Sequence, residues 1–240
     1  MISITQAIRN GFYKTFCLKD TRLLIPIVAF FLISIASTLI GNISSSQPYA
    51  QSGFYPFNST MLGQMLVFTA WAFPSVIALF LLSLFFFGFT IIAYSSRKTR
   101  SSIRLMKDTA KHYLGLLAIS ILLAIILAAG FIALVIPGIF LSVKLAFSQM
   151  FVMLKRSSPG KALNDSYDMT RGRFWDVLAM LLVVGVIASI VEGIMSMAFL
   201  LQPIYAISVV VESLLGAFFT VAFISVVTDY FLQIHKKINI

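Results

Sequence analysis

The eighteen lysines and arginines of this 240-residue chain come in bursts. Four fall before residue 23, six within 97–111, five within 155–173 and two at 236–237. Long apolar stretches, nearly free of charge, separate the bursts. A chain of this kind cannot build a water-soluble core. Its pattern is that of a protein threaded repeatedly through a bilayer with its basic connectors on one side. Composition agrees, with 60% apolar and 11% charged residues, where a soluble domain carries about 25% charged residues.

The net charge of +10 would indicate nucleic acid in a soluble protein. Here the cations flank membrane segments, so the partner expected is the anionic lipid of the inner leaflet, with no nucleic acid. Cys17 is the single cysteine, which excludes an internal disulfide. The two histidines, His112 and His235, each flank an apolar segment, and no Cys/His spacing marks a metal site. The first apolar run starts only near Leu23 and covers about 18 residues, which reads as a span rather than a cleaved leader.

The pattern along the chain predicts an all-α polytopic membrane protein forming a single domain over 1–240. Six transmembrane helices form three hairpins, each preceded by a short amphipathic helix on the cytoplasmic side. In residues 1–16, Ile4, Ala7, Ile8, Gly11, Phe12 and Phe16 share a stripe, predicting an interfacial helix with its apolar face in lipid. The first span is Leu23–Ile40. Residues 41–64 form a charge-free polar loop expected to face outward, with Asn42 and Asn58 in glycosylation triplets. The stretch 62–94 exceeds one span of ~20 residues, and Trp71 and Pro74 predict a division, with the span itself near 74–94 and Tyr94 at the inner interface. Residues 95–112 predict a second surface helix, Tyr113–Ile136 the third span, Pro137-Gly138 a tight turn, and Gly138–Leu154 the fourth span. Ser158-Pro159 is a helix start for a third surface helix over about 159–170. The last two spans are Phe174–Leu200 and Ile204 to about Ile234, interrupted at Gln202-Pro203.

With both termini cytoplasmic, the connectors expected outside, 41–64, 137–138 and 201–203, contain no lysine or arginine. The opposite threading would put seventeen of the eighteen cations outside. The expected location is therefore the cell membrane, multi-pass. Arg97, Lys98, Arg100, Arg104, Lys107 and Lys111 are candidate lipid head-group contacts.

Within 136–175, residues Pro137, Gly138, Ala162, Leu163, Ser166, Gly172, Phe174 and Trp175 follow a recognisable order: a Pro-Gly pair, a span, an Ala-Leu-x-x-Ser helix, then a basic segment ending in two aromatics. This stretch resembles a family of uncharacterised six-span prokaryotic integral membrane proteins. It is similar to the membrane domain fused to some glycerophosphodiester phosphodiesterases. The resemblance covers about forty residues and implies a six-helix membrane fold. It implies no activity, because phosphodiesterase chemistry belongs to a soluble domain.

Lys144, Glu192 and Glu212 are singled out as the span residues expected to matter chemically, because a charge within a span costs at least ~2.5 kcal/mol and usually faces a partner or water. Counted from the outer turns at 1.5 Å per residue, they lie at ~9, ~15 and ~14 Å depth and would meet as a polar cluster. Counted from Lys155 and Trp175, Lys144 lies ~16 Å deep and Glu192 ~26 Å, which puts the glutamates near the outer surface. The three residues serve as a register-fixing ion pair, as hydrated outer charges, or as a polar site for transport or lipid handling. There is no Gly-rich phosphate loop, no Ser/His/Asp set and no paired carboxylates. The sequence therefore predicts a non-enzymatic, cofactor-free protein that organises the membrane or associates with lipid, with a transporter or permease subunit as the alternative.

Overall fold

The computed structural model describes residues 4–16, 21–45, 59–96, 101–200 and 205–238. Its elements are α1 (Ile4–Phe16), a single 3-10 turn at Thr21–Leu23, α2 (Leu24–Ser45), α3 (Ser59–Ser95), α4 (Ser102–Ala133), α5 (Val135–Lys144), α6 (Ser148–Lys155), α7 (Pro159–Met169), α8 (Phe174–Leu200) and α9 (Tyr205–Ile238). Among the described residues there is no strand. Six segments are long and apolar enough to cross a membrane: 21–40, 73–95, 102–133, 135–155, 174–191 and 209–236. The chain is a multi-pass membrane protein.

α9 is the packing centre. It touches α1, α2, α3 and α8, and its inner half buries Val221, Ile224, Val226, Tyr230, Phe231 and Ile234. Phe231 meets Phe147 at 5.8 Å and Phe151 at 5.1 Å between ring centres, which ties α6 to the same core. In lipid, apolar contact alone gives helices little reason to associate, so close packing and interhelical hydrogen bonds carry the load. Ser34 to Ser213 at 3.2 Å, Tyr113 to the Leu81 carbonyl at 2.8 Å and Gln149 to Ser120 at 3.0 Å are such bonds. Gly130 and Gly138 supply a close crossing of α4 and α5, whereas Gly185 borders open space.

Four local expectations are corrected. The α1 stripe does not face lipid. Ala7 is fully buried, Ile4, Ile8 and Phe12 pack on the core, and Gly11 lies so close to Val226 that a Cβ there would stand 2.5 Å from its side chain and 2.8 Å from its Cα. The missing side chain lets α1 seat on α9. α3 is not divided, since one helix runs through Pro74, although the segment apolar enough to cross a membrane begins at Phe73, close to the expected start at 74. Tyr94 near its end is buried against the bundle. The amphipathic segment before span three is the N-terminal part of α4 itself, a single helix of 32 residues. The turn between spans three and four is at Leu134, with extended φ −171° and ψ 153°, rather than at Pro137-Gly138. Pro137 is the third residue of α5, where its missing N–H has no intrahelical acceptor to lose. Gly138 packs against the Phe131 ring.

α7 starts as its sequence dictates: Ser158 is extended at the N-cap and Pro159 occupies the first turn. Its buried face, Ala162, Ser166 and Met169, turns toward α6 and the junction above it.

Candidate functional site

Span four departs furthest from a plain helix bundle. α5 stops at Lys144 and α6 begins at Ser148. An unbroken helix would bond the Lys144 carbonyl to the Ser148 N–H and the Phe147 N–H to the Val143 carbonyl. Instead, the Ser148 N–H donates to Leu145 O at 3.1 Å and the Ala146 N–H to Val143 O at 3.5 Å. The two groups left over meet one side chain from α7. The Ser166 hydroxyl donates to Lys144 O at 2.9 Å and accepts from the Phe147 N–H at 3.2 Å. The Thr170 hydroxyl lies 3.4 Å from the same Lys144 oxygen, its one proton shared with the Tyr167 and Ser166 carbonyls at 2.9 and 3.1 Å. α7 therefore plugs the break, and both hydroxyl residues are fully buried there.

The Lys144 side chain is 6% exposed. Its ammonium stands 4.7 Å from the Tyr167 ring centre and 5.6 Å from that of Phe140. Such cation–ring contacts offset part of the cost of removing an ammonium from water. Phe140 stacks on Phe174 at 5.4 Å, and Phe174 meets Trp175 edge-on at 5.4 Å. An aromatic row thus runs from α7 past Lys144 to the start of α8, with Trp175 exposed.

Lys144 and Glu212 are not brought together. Phe147, just past the break, lies against Tyr230 of α9. Tyr230 is eighteen residues beyond Glu212 on that helix, or ~27 Å along its axis. Glu212 is exposed. The side chain of Glu192 lies outside the described residues.

The head-group candidates divide similarly. Arg97, Lys98 and Arg100 lie outside the described residues, as do Asn58 and the side chain of Asn42. Arg104, Lys107 and Lys111 are exposed on α4. Their spacing puts them on one stripe. Beside it, Ile103, Met106 and Leu114 are exposed, while Leu105 and Thr109 face the bundle.

Sequence reasoning passed over a second polar centre. Asp229 accepts from the Tyr94 hydroxyl at 2.9 Å, from Gln233 Nε2 at 2.7 Å and from Asn10 Nδ2 at 3.4 Å. The Lys14 ammonium lies 4.2 Å from the Tyr94 ring centre. The carboxylate joins α1, α3 and α9. The available signal was a lone acidic residue in an apolar run, seven positions before Lys236.

On the other flank of α7 is an open cavity of about 530 Å³, bordered by Lys155, Lys161, Asp165, Asp168 and His235 over a floor of Phe151 and Met169. Among the described residues no group of three His, Cys, Asp or Glu side chains is placed to hold a metal ion.

No curated protein matches the chain, and no solved structure does. A family model does match, over residues 70–234, from just before the second candidate span to near the C-terminal end of α9. That match covers more than two thirds of the sequence, and the chain belongs to the family described as a domain of unknown function, DUF7847.

Proposed function

We propose that this protein is a non-enzymatic, lipid-associated component of the cell membrane, with both termini and the basic connectors on the cytoplasmic side against anionic lipid. The observation that carries this reading is the N-terminal part of α4. The helix is 32 residues long, ~48 Å at 1.5 Å per residue, against a hydrocarbon core of ~30 Å. About twelve residues therefore extend beyond the core, roughly 102–113. On them, the Arg104, Lys107 and Lys111 stripe lies beside the exposed Ile103 and Met106, with exposed Leu114 next along the helix. An apolar stripe flanked by cations suits the boundary between acyl chains and anionic head groups.

The test is lipid selectivity around the reconstituted protein. Spin-labelled phosphatidylglycerol is expected to be enriched at its surface over phosphatidylcholine. Neutralising Arg104, Lys107 and Lys111 together to glutamine should remove most of that enrichment; unchanged selectivity would refute the proposal.

One observation favours the alternative of a transporter or permease subunit. Span four is discontinuous, and discontinuous helices line substrate sites in transporters. The freed backbone groups here are occupied by Ser166, which makes the break a packed joint and leaves transport the weaker reading.

A further inference from the structure

We infer that Lys144 and Arg173 form a site for the phosphate of an individual anionic phospholipid, seated between the broken span and the start of α8. This rests on the lipid-associated reading above and gives it a specific ligand. Three sets of groups there lack partners. Among the described residues, the Lys144 ammonium meets only the faces of Phe140 and Tyr167, with no carboxylate or hydrogen-bond acceptor. Nη1 of Arg173 is buried without a hydrogen-bond partner, and so are the Tyr230 hydroxyl and the Ser148 hydroxyl. Tyr230 and Ser148 are fully buried. Buried donors without acceptors are costly, and in membranes they mark places where a ligand or water completes the set.

The groups share one neighbourhood. The Arg173 N–H donates to Thr170 O at 3.1 Å, and the Thr170 hydroxyl reaches the Lys144 carbonyl. Phe140, beside the ammonium, stacks on Phe174, the residue after Arg173. Tyr230 lies against Phe147, whose N–H bonds to the Ser166 hydroxyl beside the Lys144 carbonyl. Lys144 and Arg173 bring two positive charges to this neighbourhood.

The surroundings distinguish a lipid from free phosphate. Phe140 is 41% exposed, Tyr167 43% and Trp175 76%. These rings form an open apolar rim around the ammonium and the start of α8. A phosphodiester between the cations would direct its acyl chains along that rim. Inorganic phosphate has nothing to place there. An arginine fork and a lysine point charge are both suited to phosphate oxygens.

The experiment is native mass spectrometry of the full-length protein in detergent, with phosphatidylglycerol, phosphatidylcholine or inorganic phosphate added separately. The expected result is a retained phosphatidylglycerol adduct. Lys144→Met and Arg173→Gln should each lower its occupancy by about tenfold, the worth of one charged contact, while Lys144→Arg keeps it. An adduct formed equally with inorganic phosphate overturns the lipid assignment. An adduct indifferent to both neutralisations overturns the site. Photoactivatable phosphatidylglycerol on the unaltered protein removes any dependence on variant folding. Crosslinks are expected at Phe140, Tyr167 or Trp175. Crosslinks confined to 102–114 would overturn this site while upholding the general lipid association proposed above.

Discussion

The hydroxyl of Ser166 donates a 2.9 Å hydrogen bond to the carbonyl oxygen of Lys144, joining a short polar-side helix to the interior of a broken membrane span. The Ser166 hydroxyl oxygen in turn accepts from the Phe147 N–H. One side chain thereby satisfies both backbone groups that the break leaves over.

Ser166→Ala removes that compensation without changing the volume much. A buried carbonyl and a buried N–H lose their partner, at about 1–3 kcal/mol for groups of this kind. Reversible unfolding in mixed micelles should show a loss in that range. Ser157→Ala, which deletes one long 3.4 Å contact to Asp165 at a part-buried position, should change stability by under ~0.5 kcal/mol. Equal effects of the two substitutions would remove the special role of Ser166.

Gly11→Ala tests the seat of α1. The new methyl would stand 2.8 Å from both Cα and N of Val226, and backbone atoms cannot rotate away. The expected cost is about 1–3 kcal/mol by overpacking, with faster proteolysis of the N-terminal helix. Gly88→Ala is the control. Its methyl would meet the ends of the Leu116 and Met153 side chains, which can shift, so the cost should stay below about 1.5 kcal/mol.

Asp229→Asn replaces an acceptor of three hydrogen bonds with a group whose NH₂ must face the donors on Tyr94, Asn10 or Gln233. Tyr94→Phe removes one of those bonds, worth about 0.6–1.7 kcal/mol between membrane helices. Asp229→Asn should cost more than Tyr94→Phe, and the double substitution less than the sum. Additive losses would show that the tyrosine and the carboxylate do not act as a unit.

The proposed threading is open to a labelling test. In a Cys17→Ser background, an impermeant maleimide applied to intact cells should modify Gln51→Cys and spare Lys111→Cys. Opening the cells should make the latter reactive. Modification of Lys111→Cys from outside would invert the threading, because the cation bias that assigns it would then point the wrong way.

Helix existence was legible because charge and hydropathy alternate over tens of residues. The start of α7 was legible because Ser158-Pro159 is a local signal. The 136–175 resemblance was legible as a pattern, and the fold supplies its physical content. Ala162 and Ser166 form the buried face that meets the break, Gly172 has φ +77°, which favours glycine, and Phe174 stacks on Phe140. The break itself was not legible. Residues 145–147, Leu-Ala-Phe, carry no turn chemistry, and what stabilises the interruption is a serine about twenty positions away. The sequence leaves open whether Lys144 meets Glu212 for a related reason. Two counts of depth disagree, because depth depends on where each helix begins, and hydropathy alone does not fix that. Asp229 escaped notice because its partners, Asn10 and Tyr94, sit on helices far away in the chain.

The docking of α1 on α9 sets an order on biogenesis. α1 leaves the ribosome more than 200 residues before its berth at Val226 and Asp229. Until that part of α9 is made, the half-apolar helix has no resting place inside the bundle and must be tolerated at the membrane surface or shielded by a chaperone. A nascent chain stalled before residue 220 would lack the surface that receives it. The final closure joins groups 219 positions apart, so it is the slow, non-local step on which the finished architecture waits.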